Sequence, residues 1–141
     1  MLRAPRSRVW RALTSAQEFS EWFGVALTDT FAPGARLRAP VTHKGYEHVT
    51  WEVTIDRMEP ERLLSWRWHP HAIEPGADYA SEPTTLVTFE LEEVDGGTML
   101  TVVESGFDRI PVARRKEAYR GNDEGWAAQM ESIRRYVSPA A

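Results

Sequence analysis

One acid stands apart from the rest by its spacing. Glu104 follows Leu100 and Val102 at every second position, so a strand there turns its carboxyl to the same side as two apolar side chains. On a buried face, desolvation raises a carboxyl's pKa and makes it a candidate general acid or base, or an anchor for a ligand. If the strand instead ends at Ser105 and Gly106, the same group reaches water at a rim. The four histidines are the other candidates. The run HPH at 69–71 invites a metal, but His48 and His69 fall on the polar side of their strands and His43 lies near a turn. A closed metal site needs three or four converging ligands with a second layer of support, so these read as surface histidines, and no metal or cofactor is expected.

Other chemistries are excluded more simply. The absence of cysteine removes disulfides, thiolate-bound zinc, a cysteine nucleophile and cysteine-held iron–sulfur clusters. No G-x-S-x-G, H-E-x-x-H, P-loop or dinucleotide fingerprint is present, and Gly96 and Gly97 are accounted for by a hairpin turn. A net charge of -4 gives no electrostatic reason to bind a polyanion, so nucleic acid is not an expected partner. The N-terminus has no apolar signal core and no stretch nears a membrane span, which leaves a cytoplasmic location as the default. The 141 residues suit one domain over 1–141 with a real core.

The elements that must position these groups follow from periodicity. Pro5 can open a helix carrying Val9, Trp10 and Leu13 on one side. SAQE at 15–18 has the form of a capping box, with Ser15 as N-cap and Glu18 reaching back, before the stripe Phe19, Trp22, Phe23 and a stop at Gly24. Two such short helices need something larger to dock on. A sheet supplies it. ARLRAPV at 35–41 reads as one strand, and Val49, Trp51, Val53 and Ile55 alternate with polar residues along the next. After the turn MEPERL, pairing Met58 with Leu63 would set Ile55 opposite Trp66, Val53 opposite Trp68 and Trp51 opposite Pro70. The polar face would then pair Asp56 with Ser65, Thr54 with Arg67 and Glu52 with His69. Val87, Phe89 and Leu91 continue the pattern, and DGGT at 95–98 turns it into Leu100, Val102 and Glu104. From Asn122 as N-cap, Trp126, Met130, Ile133 and Val137 line one face of a final amphipathic helix. The fold class is α+β, an antiparallel meander with helices on its apolar face.

The segments APRSRVWRALT, FSEWFG, MEPERLLSWRW, TTLVTFELEEVDGGTMLTVVESGF and the late GW before a helix, in this order, resemble the START-like helix-grip superfamily. Within it, the chain is similar to single-domain bacterial homologues of the activator of the heat-shock protein ninety ATPase. The resemblance implies a strongly curved antiparallel sheet gripping a long C-terminal helix, with an apolar cavity between them in many members. Those members include lipid and sterol carriers, hormone receptors, polyketide cyclases and chaperone cofactors, and fold alone does not choose among them. Only Met1, Leu2 and Arg3 precede the first matching segment, where the family has a complete strand. An unpaired sheet edge follows, and with it an expected homodimer or an upstream cap. The 141 residues leave no room for the second, N-terminal domain of full-length chaperone activators, so ATPase activation is not the first expectation.

On this reading Trp51, Trp66, Trp68, Phe89, Val102 and Glu104 of the sheet, Trp126, Met130 and Ile133 of the last helix, and Tyr79 of the loop 70–85 line a ligand site. The three strand tryptophans share one face, which a single long helix and two short ones cannot fully cover. The loop is long enough to act as a lid, with Ile73 and Tyr79 beneath it. The expected activity is non-catalytic binding of a small apolar or amphipathic molecule. The alternatives are an interaction module with a chaperone as partner, and a hydrolase or cyclase working in the same cavity through Glu104.

Overall fold

The computed structural model describes residues 2–45, 47–69, 84–107 and 112–138, with the side chains of the last helix from Gly125 onward. Helices α1 (Arg6–Thr14) and α2 (Ala16–Phe23) precede strands β1 (Arg36–Pro40), β2 (Thr50–Glu59), β3 (Leu63–Trp68), β4 (Thr85–Val94) and β5 (Gly97–Ser105), and α3 (Val112–Val137) ends the chain. The strands form one antiparallel sheet in sequence order, each hydrogen-bonded to the next. It is an open α+β helix-grip sheet with α3 on its apolar face.

Local signals place the helix ends. Ser15 Oγ accepts from Glu18 N–H at 3.4 Å, completing one half of the capping box. The other half does not form. Ser15 N–H donates to the Arg11 carbonyl of α1 instead, and the Glu18 carboxylate pairs with Arg8 and Arg11. Gly24 closes α2 in the left-handed region with φ of 93°. A Cβ there would lie 2.1 Å from His43 Nε2. Gly24→Ala is therefore expected to cost about 1–3 kcal/mol in urea unfolding, from the left-handed backbone and the displaced imidazole together.

The β2–β3 hairpin departs from the simple register. Ile55 faces Trp66 and Thr54 faces Arg67 as the alternation predicts, but Met58 faces Leu64 rather than Leu63, and Arg57 rather than Asp56 faces Ser65. A bulge between Ile55 and Arg57 absorbs the extra residue. Asp56 stays close to Ser65 through the serine hydroxyl, which donates to its carboxylate at 3.1 Å. The turn itself carries Glu61 at φ 60°, behind Pro60, and closes with Arg62 N–H on the Glu59 carbonyl at 2.9 Å.

Ser65 is also not on a solvated surface, being only 2% exposed. It lies on the central strand, flanked by Arg57 of β2 and Thr88 of β4, and its side chain is too short to reach past them. Two single bridges decorate the sheet's outer strands. Val25 pairs with Val41 just beyond β1, and Leu2 exchanges both backbone bonds with Thr98 of β5 at 2.7 and 2.8 Å.

The last helix begins at Val112, ten residues before the expected cap at Asn122. The helix formers in VARRKEAY favour continuing the helix over capping it at Asn122. Its second half is fixed to α2. Gln129 Nε2 donates to the Phe23 carbonyl at 2.9 Å and Ser132 Oγ to the Trp22 carbonyl at 2.6 Å, satisfying carbonyls that the end of α2 leaves open.

Tyr136 adds a third tie, its hydroxyl donating to the Glu21 carboxylate. Desolvation first, and that hydrogen bond second, push the phenol up to about 12 from its ordinary 10.0. Because the folded-state value is raised, the stabilisation is fully present below the unfolded value and is lost as pH rises through the folded one. Thermal melts between about pH 9 and about pH 12 should show this loss, and Tyr136→Phe should flatten that part of the profile.

Candidate functional site

On β3, β4 and β5 the inward side chains form three adjoining rows: Leu64, Trp66 and Trp68 on β3, Thr85, Val87, Phe89 and Leu91 on β4, and Leu100, Val102 and Glu104 on β5. Register brings the acid into this company. Glu104 stands opposite Val87, and Thr85 stands opposite Trp68.

The carboxylate is held by groups from three other elements. Trp68 Nε1 of β3 donates to Oε2 at 2.9 Å, Thr85 Oγ1 of β4 donates to the same oxygen, and Trp126 Nε1 of α3 donates to Oε1 at 2.8 Å. These neutral donors hydrogen-bond both carboxylate oxygens, and they lock two indoles side by side with centroids 5.7 Å apart and planes 33° apart. The acid joins β3, β4, β5 and α3 at one point.

Burial divides the expected site residues into two groups. Trp66, Phe89 and Ile133 are 0% exposed and Trp51 is 4% exposed, so these belong to the core. Trp66 touches six other rings, with centroid separations of 5.0 Å to Phe89, 5.6 Å to Trp68, 5.7 Å to Trp51, 5.9 Å to Phe19, 6.2 Å to Phe23 and 6.3 Å to Trp126. By contrast Trp68, Leu100, Val102, Trp126 and Met130 are partly exposed, Trp68 and Trp126 of them bonded to Glu104. Among the described residues the apolar face is therefore fully buried beneath α2 and partly exposed along β5. Tyr79 and Ile73, with the lid expectation, lie outside the described residues, as does His71.

Thr85 is the member of the site that sequence reasoning missed. Its signal was the period-two pattern, which puts it in the inward slot two residues before Val87. Phe19 and Phe23 were read only as docking residues, yet both reach the rings of Trp51 and Trp66. Among the described residues no group of three or more His, Asp or Glu side chains could hold a metal. None of the described helices is long and apolar enough to cross a membrane.

A meander packed on a long C-terminal helix, with an aromatic interior, defines a protein of the START-like helix-grip class. The model of the family described as Activator of Hsp90 ATPase homolog 1-like protein matches residues 3–138, and the chain belongs to that family. Solved structures share the fold. MLL2253 from Mesorhizobium loti is 24% identical with a TM-score of 0.75, over 97% of this chain and 91% of its own. CV1439 from Chromobacterium violaceum is 19% identical with a TM-score of 0.71, over 99% and 93%. DynU16, a protein in the dynemicin biosynthetic locus, is 24% identical with a TM-score of 0.72; the match covers 96% of this chain but 44% of DynU16. A search of curated proteins finds no match.

Proposed function

We propose that this protein binds a small apolar or amphipathic molecule between the β5 side of its sheet and α3, without transforming it. One observation carries the reading. The inward residues of β4, Val87 and Phe89, are fully buried, whereas their cross-strand partners Glu104 and Val102 on β5 remain partly exposed, so the β5 side is where solvent reaches the apolar face. Wide aromatic walls with one fixed polar group suit a ligand with an apolar body. Glu104 supports anchoring more than turnover, because both its oxygens already accept hydrogen bonds from the protein. The test combines native mass spectrometry of the purified protein with titration by anilinonaphthalene sulfonate, read through tryptophan emission. A co-purified small molecule or a saturable emission change supports binding. An empty protein whose emission is unchanged up to the solubility limit of the probe overturns it.

A second reading, a protein-interaction module, rests on a separate feature. The outward face of β5 exposes Val103 at 52% and Met99 at 40%, beside a strand edge to which Leu2 adds a single bridge among the described residues. A second copy of the chain pairing along that edge would cover both side chains. Sedimentation as a dimer that Val103→Lys dissociates would support this surface, and a monomer at all concentrations would remove it. The family's description directs the chaperone version of the reading to the Hsp90 ATPase, whose stimulation by the purified chain is a direct assay.

A further inference from the structure

Strand β5 ends the sheet, and its outer side is open over a stretch with definite bounds. Leu2 exchanges both backbone bonds with Thr98, so Thr98 turns its N–H and carbonyl away from β4. Residues along an antiparallel strand alternate in this respect, and the β4–β5 register runs without a break, so Leu100, Val102 and Glu104 turn theirs the same way. Leu2 closes the stretch at one end. At the other the strand stops at Ser105, before Gly106 at φ 96°. Among the described residues no strand lies along the outer side of Leu100 and Val102. Edge strands are commonly guarded by charge, proline or a bulge, and the run TMLTVV at 98–103 has none of these. It is apolar on both faces. Met99 and Val103 are exposed on the outward one, and Leu100 and Val102 are partly exposed on the inward one.

We propose that β5 pairs antiparallel with β5 of a second copy about a two-fold axis at Val102, which brings the partner copy's Leu100 opposite Glu104 on the inward face. This deepens the second reading above and rests on it. The register follows from the bounds of the open stretch, which is centred on Val102. A two-fold there sets Val102 opposite itself and keeps each β5 clear of the other copy's Leu2. An axis at Thr101 would drive Glu104 into the place that Leu2 holds beside Thr98. An axis at Val103 would set Leu100 against Gly106, past the end of the strand, and an axis at Glu104 would oppose two like charges. With the axis at Val102 the charged position meets Leu100 instead, and on the outward face Val103 meets Thr101. An edge whose open backbone, apolar side chains and one charge all match under a single rotation is suited to a copy of itself. The solvent-reached side of the apolar face is then walled by both copies.

The chain has no cysteine, so engineered cysteines report the register without background. A strand pair this short predicts a reversible dimer, and sedimentation of the wild type over a concentration series measures it. Thr101→Cys and Val103→Cys chains are then oxidised with copper phenanthroline, separately and mixed. Opposite residues in a non-hydrogen-bonded pair stand at about 4.5 Å between Cα atoms, within reach of a disulfide. The expected result is a concentration-dependent dimer and a cross-link that forms in the mixture and in neither variant alone. In the wild type, hydrogen exchange at the Leu100 and Val102 amides should slow as the dimer fills. A dimer in which the mixture fails to cross-link, either variant cross-links alone, or those amides exchange at the monomer's rate overturns this pairing while leaving self-association in place. A monomer at every concentration removes the second reading, and the pairing with it.

Discussion

Trp66→Ala should lower the unfolding free energy by about 3–5 kcal/mol, the full cost of truncating a close-packed tryptophan. The sequence alone argues for less, because an indole lining an open cup leaves room that a smaller residue merely enlarges. The structure moves Trp66 out of that position. It is fully buried on the central strand, in contact with six other rings, and a methyl group in its place leaves a hole that no single neighbour can fill. Trp68, two residues further along the same face, is partly exposed, so Trp68→Ala should cost less than half as much in the same urea titration. Equal losses at the two positions would mean that the β5 side is as closely packed as the centre.

Glu104→Gln should cost about 1–3 kcal/mol although it preserves the shape of the side chain. The carboxylate accepts from Trp126 on one oxygen and from Trp68 and Thr85 on the other. An amide has one acceptor oxygen and one donor nitrogen, so in either orientation an indole N–H meets an N–H group. Thr85 can turn its hydroxyl to accept, but an indole cannot. If the amide nitrogen faces Trp126, the helix loses its bond to the sheet; if it faces Trp68, the strand-borne ring is freed. Thermal melts give the size of the loss, and indole N–H shifts of Trp68 and Trp126 show which partner is released. A variant as stable as the wild type, with both shifts unchanged, would show that the carboxylate is not the fastening described above.

Much of the scaffold was legible because it depends on neighbours in sequence. Alternation over Trp51, Val53 and Ile55 identified an inward face, Ser15 and Gly24 bounded α2, and Asp95-Gly96 turned β4 into β5. What escaped depends on context that periodicity does not carry. The bulge at Asp56 shifts pairing by one residue without altering the side on which Ile55 points, so the hydrophobic pattern is the same with or without it. Asn122 is a good cap, but a residue caps a helix only where the helix begins, and α3 begins earlier. Ser65 looks solvated until β4 is placed beside it. For the site, the inward direction of Glu104 could be read from Leu100 and Val102. Its partners could not, because Trp68 is 36 positions away and Trp126 is 22 away, and only the order of the strands and the return of α3 bring them together.

Along the described side chains of α3, from Gly125 onward, the fastening changes partner, and this bears on kinetics. From Gln129 to Tyr136 the helix is tied to α2 by two backbone carbonyls and a carboxylate, while at Trp126 the tie to the sheet is the Glu104 bond. Among these described ties, release of the Glu104 bond is the one that would part Trp126 from the sheet while leaving the α2 contact and the strand ladder in place. For the guest proposed above, the height of the barrier to that release would set how fast it enters and leaves, whereas the surrounding apolar walls would set how tightly it is held. On that reading residence time and affinity would be separately adjustable properties, the first governed by one carboxylate and the second by the walls behind it.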